Sequence, residues 1–550
     1  MTGGQILVQS LLAHGAERAF GVAGESYLAV LDALYDVQDR IELVTNRQEG
    51  GAAFMAEAYA KLTGKTGLCF VTRGPGACNA SIGVHTARQD STPMILFVGQ
   101  VAREQMGREA FQEIDYRQMF KPPIAKAVFQ VDSADKMNEI MAEAFRLTQS
   151  GRKGPVVIAL PEDVLTETAG FEQAIVTPPK AKTDIKRDLE DACKLLREAK
   201  RPVCIIGGSG WSEEAIDNFQ AFAEREGLPV ATSFRRQDLF DHNSPVYIGE
   251  LGTGANPELV RLIRDESGLV LAVNTRLSEI TSQGYTLLDV PKARQKLIHI
   301  YPDIDEHGHV YRADVGILSK PDNFIDHIHA LSGCGNCEDW RQKLRDQYTK
   351  WSALPQKRDL YAPDMNFVYG QLIDKMSEDA IVTTDAGNFS GWAQRYIKYG
   401  RPGRLLAPTS GAMGYALPSA ISASLEMPNR TVVGLAGDGG TMMTVQELAT
   451  AAKYGAKPIF ILFNNGVYGT IRMHQARDYP ERRIATELHN PDFVQLAHSF
   501  GLDAVRVTSN DAFVDALNQA IAAKKMFIIE VRNDPMQMTT TKSLAEIESF

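Results

Sequence analysis

The stretch of residues 437–465 constrains the fold more than any other part of the chain. It follows an apolar, partly β-branched run over residues 431–436 and ends after a second apolar run over residues 458–463. A helical pattern lies between the two runs, from about residue 445 to residue 454. The alternation predicts one strand–helix–strand unit with two parallel strands and a right-handed crossover.

Polar residues stand at the carboxyl ends of both predicted strands. Gly437, Asp438 and Gly439 follow the first strand, and Asn464 and Asn465 follow the second. The carboxyl ends of neighbouring parallel strands open a crevice, where the N-terminus of the next helix presents free N–H groups to an anion. A carboxylate and an amide oxygen suit Mg²⁺, and glycines let the backbone approach a ligand closely. The pattern therefore predicts a diphosphate and metal site.

The same stretch resembles the thiamine diphosphate signature, in which GDG is followed by NN about two dozen residues later. Here 24 residues, 440–463, separate the two motifs. A lone GDG is a common turn, whereas the pair at this spacing is specific. The resemblance implies that Asp438, Asn465 and the main-chain carbonyl of Val467 bind Mg²⁺. It also implies that Gly439 and Gly440 approach the diphosphate.

Glu49 lies in a second motif, NRQEGGAAFMAEAYAKLTGKTG, directly after the strand-like run IELVTN. The motif resembles the helix start that carries the carboxyl group beside the aminopyrimidine ring in thiamine diphosphate enzymes. The resemblance implies that Glu49 shares a proton with the pyrimidine ring, whose imino tautomer then removes the thiazolium C2 proton to form the ylid. Burial would raise the pKa of Glu49. The alternative is a helix-start carboxylate that complements the helix dipole.

Further segments resemble the acetolactate synthase branch of this family. SGAMGYALPSAI resembles a cofactor-binding segment of that branch. The resemblance implies that the carbonyl of Gly411 accepts a hydrogen bond from the cofactor amino group and that Met413 supports the V-shaped cofactor. TTDAGNFSGW resembles the turn that touches the diphosphate, which implies contacts from Gly387 and Asn388. Phe389 stands where that family often has histidine, so the match of this turn is incomplete.

Five positions bear on the predicted substrate pocket. REAFQEID resembles the family segment whose glutamine faces the reacting centre, which implies a catalytic role for Gln112 and a pocket position for Phe111; a surface turn is the alternative. Three positions depart from the acetolactate synthase pattern. His474 replaces a tryptophan that shapes the acceptor site, Ile280 replaces an arginine that holds the acceptor carboxylate, and Glu25 replaces a glycine beside the cofactor.

A flavin site is left open by the sequence. Arg152 in SGRKGPV and Arg276 in NTRLSEI match the flavin-facing arginines of that family, whereas LGTGANPEL matches the companion loop only loosely. The segment PVCIIGGSG has a Rossmann-like strand and glycine turn but lacks a complete GxGxxG. FAD is therefore one candidate ligand, and no motif in the sequence decides for or against it.

The length of 550 residues exceeds what one hydrophobic core supports, and three domains are predicted. Their limits are 1–170 for the pyrimidine-binding domain, 186–332 for a central Rossmann-like domain and 360–535 for the diphosphate-binding domain. Residues 171–187 have the composition of a linker. The expected fold class is α/β, with three doubly wound parallel-sheet domains.

Composition and charge bear on location and partners. The net charge of −10 argues against non-specific nucleic-acid binding. No apolar run is long enough to span a bilayer, and the N-terminal residues predict a capped amphipathic helix rather than a signal peptide, so a cytoplasmic location is expected. The family resemblance implies active sites shared between subunits, and hence a homodimer or homotetramer.

The predicted function is a thiamine diphosphate- and Mg²⁺-dependent 2-oxo acid decarboxylase and carboligase that resembles acetolactate synthase. The resemblance implies a reaction through the C2 ylid and an enamine, with a 2-oxo acid as donor and a carbonyl compound as acceptor. A non-ligating 2-oxo acid decarboxylase or carbon–carbon lyase of the same superfamily is the alternative. Two other classes, a non-catalytic relative and a Rossmann dehydrogenase, are disfavoured because Glu49, Asp438 and Asn465 are all present.

Overall fold

The computed structural model describes residues 1–172, 174, 185–328, 337–355, 363–400 and 402–549. These residues form three six-stranded sheets in which every pair of neighbouring strands is parallel, with helices flanking each sheet. The predicted fold class is confirmed. Most of the predicted linker, residues 173 and 175–184, lies outside the described residues, as does the predicted start of the third domain at residue 360.

The first sheet is built from the N-terminal part of the chain. Its strands are β1 (Arg18–Gly21), β2 (Glu42–Thr45), β3 (Gly67–Val71), β4 (Met94–Gln100), β5 (Ala127–Gln130) and β6 (Pro155–Pro161), in the order β2-β1-β3-β4-β6-β5. Its helices are α1 (Gly3–Ala13), α2 (Leu28–Tyr35), α3 (Glu49–Thr63), α4 (Gly74–Asp90), α5 (Tyr116–Met119), α6 (Met137–Gln149) and α7 (Glu162–Thr166). Strands β3, β4 and β6 are buried along their whole length, which explains their nearly continuous apolar sequences.

The second sheet has the strand order of a dinucleotide-binding fold. Its strands are β7 (Pro202–Ile206), β8 (Val230–Ser233), β9 (Tyr247–Leu251), β10 (Leu269–Val273), β11 (Lys296–Tyr301) and β12 (Val315–Leu318). The order β9-β8-β7-β10-β11-β12 reverses direction between β7 and β10, where such sheets bind ligands. Its helices are α8 (Lys186–Glu198), α9 (Glu213–Glu226), α10 (Pro257–Glu266) and α11 (Pro321–Ile325), and α12 (Glu338–Trp351) leads towards the third sheet.

The third sheet contains the predicted metal site. Its strands are β13 (Ile381–Thr384), β14 (Leu405–Leu406), β15 (Val432–Gly437), β16 (Ile459–Phe463), β17 (Asp503–Val507) and β18 (Phe527–Val531), in the order β14-β13-β15-β16-β18-β17. Its helices are α13 (Met365–Lys375), α14 (Ser390–Tyr396), α15 (Ala416–Glu426), α16 (Asp438–Met443), α17 (Leu448–Tyr454), α18 (Gly469–Asp478), α19 (Phe493–Ser499), α20 (Asn510–Ala522) and α21 (Leu544–Glu548).

The strand–helix–strand prediction for residues 431–465 is correct in its strands and incomplete in its helix. Strands β15 and β16 are adjacent and parallel, as predicted. A helix, α16, already begins at Asp438, and a break at Thr444 separates it from the predicted helical segment. Of the two glycines in the GDG motif, Gly437 ends β15, and Gly439 lies in the first turn of α16, where a side chain would clash with Tyr468.

The first and third sheets share one hydrophobic core. Helices α3 and α15 pack against each other, and buried side chains of both form continuous clusters. This contact places the start of α3 close to the segment that joins α16 to α17. Among the described residues, no helix is both long and apolar enough to cross a membrane.

Candidate functional site

The three predicted metal ligands lie together at the ends of β15 and β16. Asp438 Oδ2 accepts a hydrogen bond from the Gly466 N–H at 2.9 Å, and Asn465 Oδ1 accepts one from the Val467 N–H at 3.1 Å. The turn after β16 therefore brings the carboxylate, the amide and the Val467 backbone into one small volume. One carboxylate with neutral oxygens is the donor set of a Mg²⁺ site that phosphate and water complete. No cluster of three His, Cys, Asp or Glu side chains suited to a metal occurs in the described parts of the chain.

Asp438 is buried, with only 2% of its surface exposed. Burial raises the pKa of its carboxyl group, and hydrogen bonds from Asn490, Gly466 and Gly439 oppose that rise. The Asn490 side chain donates to Asp438 Oδ2 at 2.7 Å and to Asn464 Oδ1 at 3.1 Å. Asn490 thus orients the candidate ligand, a role that its sequence neighbourhood gave no reason to predict.

Asp385 joins the two predicted cofactor turns, 387–388 and 411–413. Its carboxylate accepts hydrogen bonds from the Gly414 N–H at 2.9 Å and the Ala416 N–H at 2.8 Å. The residue is fully buried, and burial raises the pKa of its carboxyl group to about 6. The sequence analysis missed Asp385, although an acidic residue directly after the apolar run of β13 was a usable signal.

The two helix-start glycines lie against other parts of the site. A Cβ atom on Gly439 would meet the Tyr468 ring at 2.5 Å, and one on Gly440 would meet Asp385 Oδ2 at 2.0 Å. Both distances are far below van der Waals contact. Glycine is therefore required at these positions for packing.

Replacing Gly440 with Ala is expected to displace the Asp385 carboxylate from the N–H groups of Gly414 and Ala416. Overpacking of this kind costs about 1–3 kcal/mol of unfolding free energy, and loss of cofactor binding should accompany it. Thermal denaturation and titration with thiamine diphosphate would measure the two effects. The control is Gly370→Ala in α13, where only Leu354 lies within reach, at 3.9 Å. A G440A protein as stable as G370A would contradict this packing account.

Open space adjoins the turns that would receive the cofactor. Gly411 and Gly466 have φ angles of +69° and +72°, and no atom lies within 4 Å of a Cβ built on either one. Met413 is half-buried beside Gly411. Glycines in the left-handed region around open space provide the room that a bound diphosphate cofactor needs. The residues present fit thiamine diphosphate.

A cavity of about 1340 Å³ lies between the three sheets. It is lined by Gly387, Asn388 and Gly411 from the cofactor turns and by His474 from α18. His474 Nδ1 is buried without a hydrogen-bond partner. Phe389 stacks on Phe463 with ring centroids 5.5 Å apart and lies against Gly387, where its phenyl ring cannot make the hydrogen bonds of a histidine.

Both candidate flavin-facing arginines also line this cavity. Arg152 donates to Glu306 Oε1 at 2.7 Å and to the Arg88 carbonyl at 2.6 Å, and Arg276 donates to the Gln89 carbonyl at 3.0 Å. Protein groups therefore already engage both guanidinium groups. They can still add positive charge to one wall of the cavity.

Glu49 lies on the first sheet's side of the molecule and does not line this cavity. It is the first residue of α3, and its Oε2 accepts a hydrogen bond from the Asn79 side chain at 2.9 Å. Burial raises the pKa of the nearby Tyr27 hydroxyl, and the charge of Glu49 adds to that rise. Among the described residues, no hydrogen bond or ion pair joins Glu49 to the predicted metal ligands of the same chain.

The predicted pocket residues of the first sheet are largely uncovered. Phe111 is 74% exposed, which is unusual for a phenylalanine. Gln112 has a φ of +64°, and its carbonyl accepts a hydrogen bond from the Gly74 N–H at 3.0 Å. Glu25 forms an ion pair with the buried Arg73 at 3.0 Å, while most of its side chain stays exposed.

Glu447 holds the loop that precedes Glu49. Its Oε1 accepts hydrogen bonds from the backbone N–H groups of Arg47 at 3.1 Å and Gln48 at 3.0 Å. Its Oε2 accepts one from the side chain of Asn46. The side chain is completely buried, and burial raises its pKa. A residue of the third sheet's unit therefore fixes the start of α3, which sequence alone could not reveal because the two segments are 400 residues apart.

Comparisons with known proteins agree with this geometry. Three family models of thiamine pyrophosphate enzymes match the chain: the N-terminal TPP binding domain over residues 1–119, the central domain over 189–328 and the C-terminal TPP binding domain over 385–531. The acetolactate synthase isozyme 2 large subunit of Escherichia coli (strain K12) is 32% identical over 543 residues, covering 98% of this chain and 96% of that protein.

Two further relatives match over a similar length of this chain. The acetolactate synthase large subunit of Parasynechococcus marenigrum is 32% identical over 550 residues, covering 96% of this chain and 87% of that protein. The acetolactate synthase of Mycobacterium leprae is 34% identical over 546 residues, covering 95% and 85%. The similarity thus spans all three sheets.

Proposed function

The chain belongs to the thiamine pyrophosphate enzyme family and is an enzyme of the acetolactate synthase type, and we propose that it is a Mg²⁺-dependent 2-oxo acid decarboxylase and carboligase. The observation that carries the proposal is the 2.9 Å hydrogen bond from Gly466 N–H to Asp438, because it joins the GDG and NN motifs into one oxygen-donor site. Thiamine diphosphate, when bound, supplies an electron sink for the carbon that loses CO₂.

The residues of the third sheet's unit would hold the cofactor. Mg²⁺ would be bound by Asp438, Asn465 and the Val467 carbonyl, with the diphosphate oxygens completing its coordination. The carbonyl of Gly411 would accept a hydrogen bond from the cofactor's amino group. The remaining contacts would come from Gly387, Asn388, Met413, Gly439 and Gly440.

Glu49 would hold a proton at the pyrimidine ring nitrogen of the cofactor and so prepare the cofactor's own amino nitrogen to act as a base. Glu49 is half-buried and does not line the cavity beside the cofactor turns of its own chain, which favours a site completed across a subunit interface. The metal site of one chain would face Glu49 of the partner subunit, with exposed Phe111 covered by the contact. This arrangement requires at least a homodimer, and a homotetramer is compatible with it.

The interdomain cavity would hold a dinucleotide, with FAD as the leading candidate. The cavity includes Gly208 and Thr275, which follow β7 and β10 at the reversal point of the second sheet. Its volume of about 1340 Å³ exceeds the size of ordinary small-ligand pockets. Arg152 and Arg276 would face the ligand from one wall.

The substrate would be a 2-oxo acid with a carbonyl acceptor, bound between Gln112, Phe111 and Glu25 on one side and His474 on the other. Ile280 lines the cavity where related enzymes have an acceptor-binding arginine. This apolar side chain favours an acceptor other than pyruvate. It also keeps open a non-ligating decarboxylase or carbon–carbon lyase as the second candidate function.

The test is consumption of pyruvate and of a panel of larger 2-oxo acids by the purified protein, with CO₂, acyloin and aldehyde measured with and without added aldehyde acceptors. We expect CO₂ release that requires both thiamine diphosphate and Mg²⁺. Acyloin products would support carboligation, and aldehyde alone would support the second candidate. Turnover that is unaffected by omission of thiamine diphosphate would refute the proposal.

A further inference from the structure

Arg235 lies where the three sheets' units meet. It follows β8, has a φ of +57° and is only 4% exposed, yet it lines the interdomain cavity. One acidic residue from each unit contributes to its electrostatic environment: Asp90 at the end of α4, Glu250 in β9 and Asp385 after β13. Burial lowers the pKa of the guanidinium to about 10, so Arg235 remains a cation at neutral pH.

The guanidinium of Arg235 donates to the backbone of both predicted cofactor turns. Its Nη2 donates to the Asp385 carbonyl at 3.1 Å, two residues before Gly387. Its Nη1 donates to the Pro408 carbonyl, which also accepts the N–H of Gly411 at 3.1 Å. One side chain of the second sheet's unit thus binds the start of each turn.

Other side chains also hold these two turns: Ser390 donates to the Gly387 carbonyl at 2.7 Å, and Thr444 donates to the Gly414 carbonyl at 2.9 Å. The Asp385 carboxylate binds Gly414 and Ala416, and the Asp90 carboxylate accepts the N–H of Thr409 at 3.1 Å. Asp90 belongs to the first sheet's unit and Asp385 to the third, and Arg235 adds hydrogen bonds from the second sheet's unit. A planar guanidinium can donate to two carbonyls in fixed directions at once, whereas a lysine ammonium acts as a single point charge.

We infer that Arg235 is a positioning residue that fixes the 385–388 and 408–414 backbone segments in the arrangement that receives thiamine diphosphate. The inference rests on the proposed function of these segments. It goes beyond the family's shared motifs because Arg235 lies outside all of them and acts from the second sheet. No contact between Arg235 and the cofactor is required.

The experiment is calorimetric titration with thiamine diphosphate in the presence of Mg²⁺, for the wild type, Arg235→Lys and Arg235→Met. The control is Arg264→Lys, an exposed arginine of the second sheet's unit that pairs with Asp265 and does not line the cavity. We expect the dissociation constant to rise about tenfold or more for R235K, further for R235M, and less than about twofold for R264K, since charged hydrogen bonds carry more free energy than neutral ones.

Hydrogen exchange measured by mass spectrometry provides a readout that does not depend on cofactor. In R235K, which keeps the positive charge among the three carboxylates, peptides covering 381–388 and 404–416 should exchange faster, and peptides of β7 and β10 should not change. Unchanged affinity together with unchanged exchange in R235K would overturn the inference while leaving the proposed function intact. Absence of binding by the wild type would instead overturn the proposed function and the inference with it.

Discussion

Glu49→Gln is expected to leave thiamine diphosphate binding nearly unchanged and to slow exchange of the cofactor's C2 proton by about 10²–10⁴-fold. The substitution preserves size and the hydrogen bond from Asn79, which reaches Glu49 Oε2 at 2.9 Å. It removes only the ability to hold a proton at the pyrimidine nitrogen. Turnover of any 2-oxo acid should fall by a similar factor, because the proton must leave before the substrate can add.

The enzyme and cofactor are mixed in deuterated buffer, the exchange is quenched after set times, and the remaining C2 proton is recorded by NMR. This readout needs no knowledge of the substrate. The control is Glu139→Gln, an exposed residue on α6 whose side chain is 75% accessible. Wild-type exchange in E49Q would show that Glu49 serves only as a helix-start carboxylate, and the assignment would be abandoned.

Asp438→Ala is expected to weaken binding of thiamine diphosphate and of Mg²⁺ together, each by about tenfold to a hundredfold or more, because a charged hydrogen-bond acceptor and metal ligand is lost from a buried site. The substitution also removes the acceptor for Gly466 and Asn490. Asp438→Asn keeps the shape and an acceptor oxygen but removes the charge. It therefore separates the loss of the charged ligand from the loss of the hydrogen-bond acceptor.

Equilibrium dialysis against Mg²⁺ and thiamine diphosphate measures the retention of both by D438A. Asp503→Ala is a control for the loss of a carboxylate in the same unit, because Asp503 is the first residue of β17 and so lies at the edge of the parallel sheet opposite the metal ligands. If D438A retained the cofactor and the metal as tightly as D503A, Asp438 would not be a ligand.

The parts of the site that sequence could predict are those set by local spacing. The pairing of β15 with β16 and the turn after Asn465 follow from two apolar runs with polar ends, and the structure places Asp438 beside Gly466 as that pattern requires. The sequence analysis missed α16 because glycines normally indicate a turn, whereas Gly439 and Gly440 lie in this helix, packed against Tyr468 and Asp385.

The parts that sequence could not predict depend on packing between distant segments. Glu447 acts on the loop before Glu49 across 400 residues, and Arg235 acts on Pro408 across 173 residues. Both side chains are buried through contacts between separate sheets, so no local periodicity distinguishes them from surface charges. The domain limits, the metal, FAD and the shared active site remain predictions.

The most direct test of the central claim is complementation between E49Q and D438A, co-expressed with different tags and isolated as mixed oligomers. If each site combines Glu49 of one chain with Asp438 of another, a mixed dimer contains one intact site and one doubly altered site. The isolated mixed dimers should then restore C2-proton exchange to about half of the wild-type rate. Exchange no faster than the average of the two separate variants would contradict a site shared between chains.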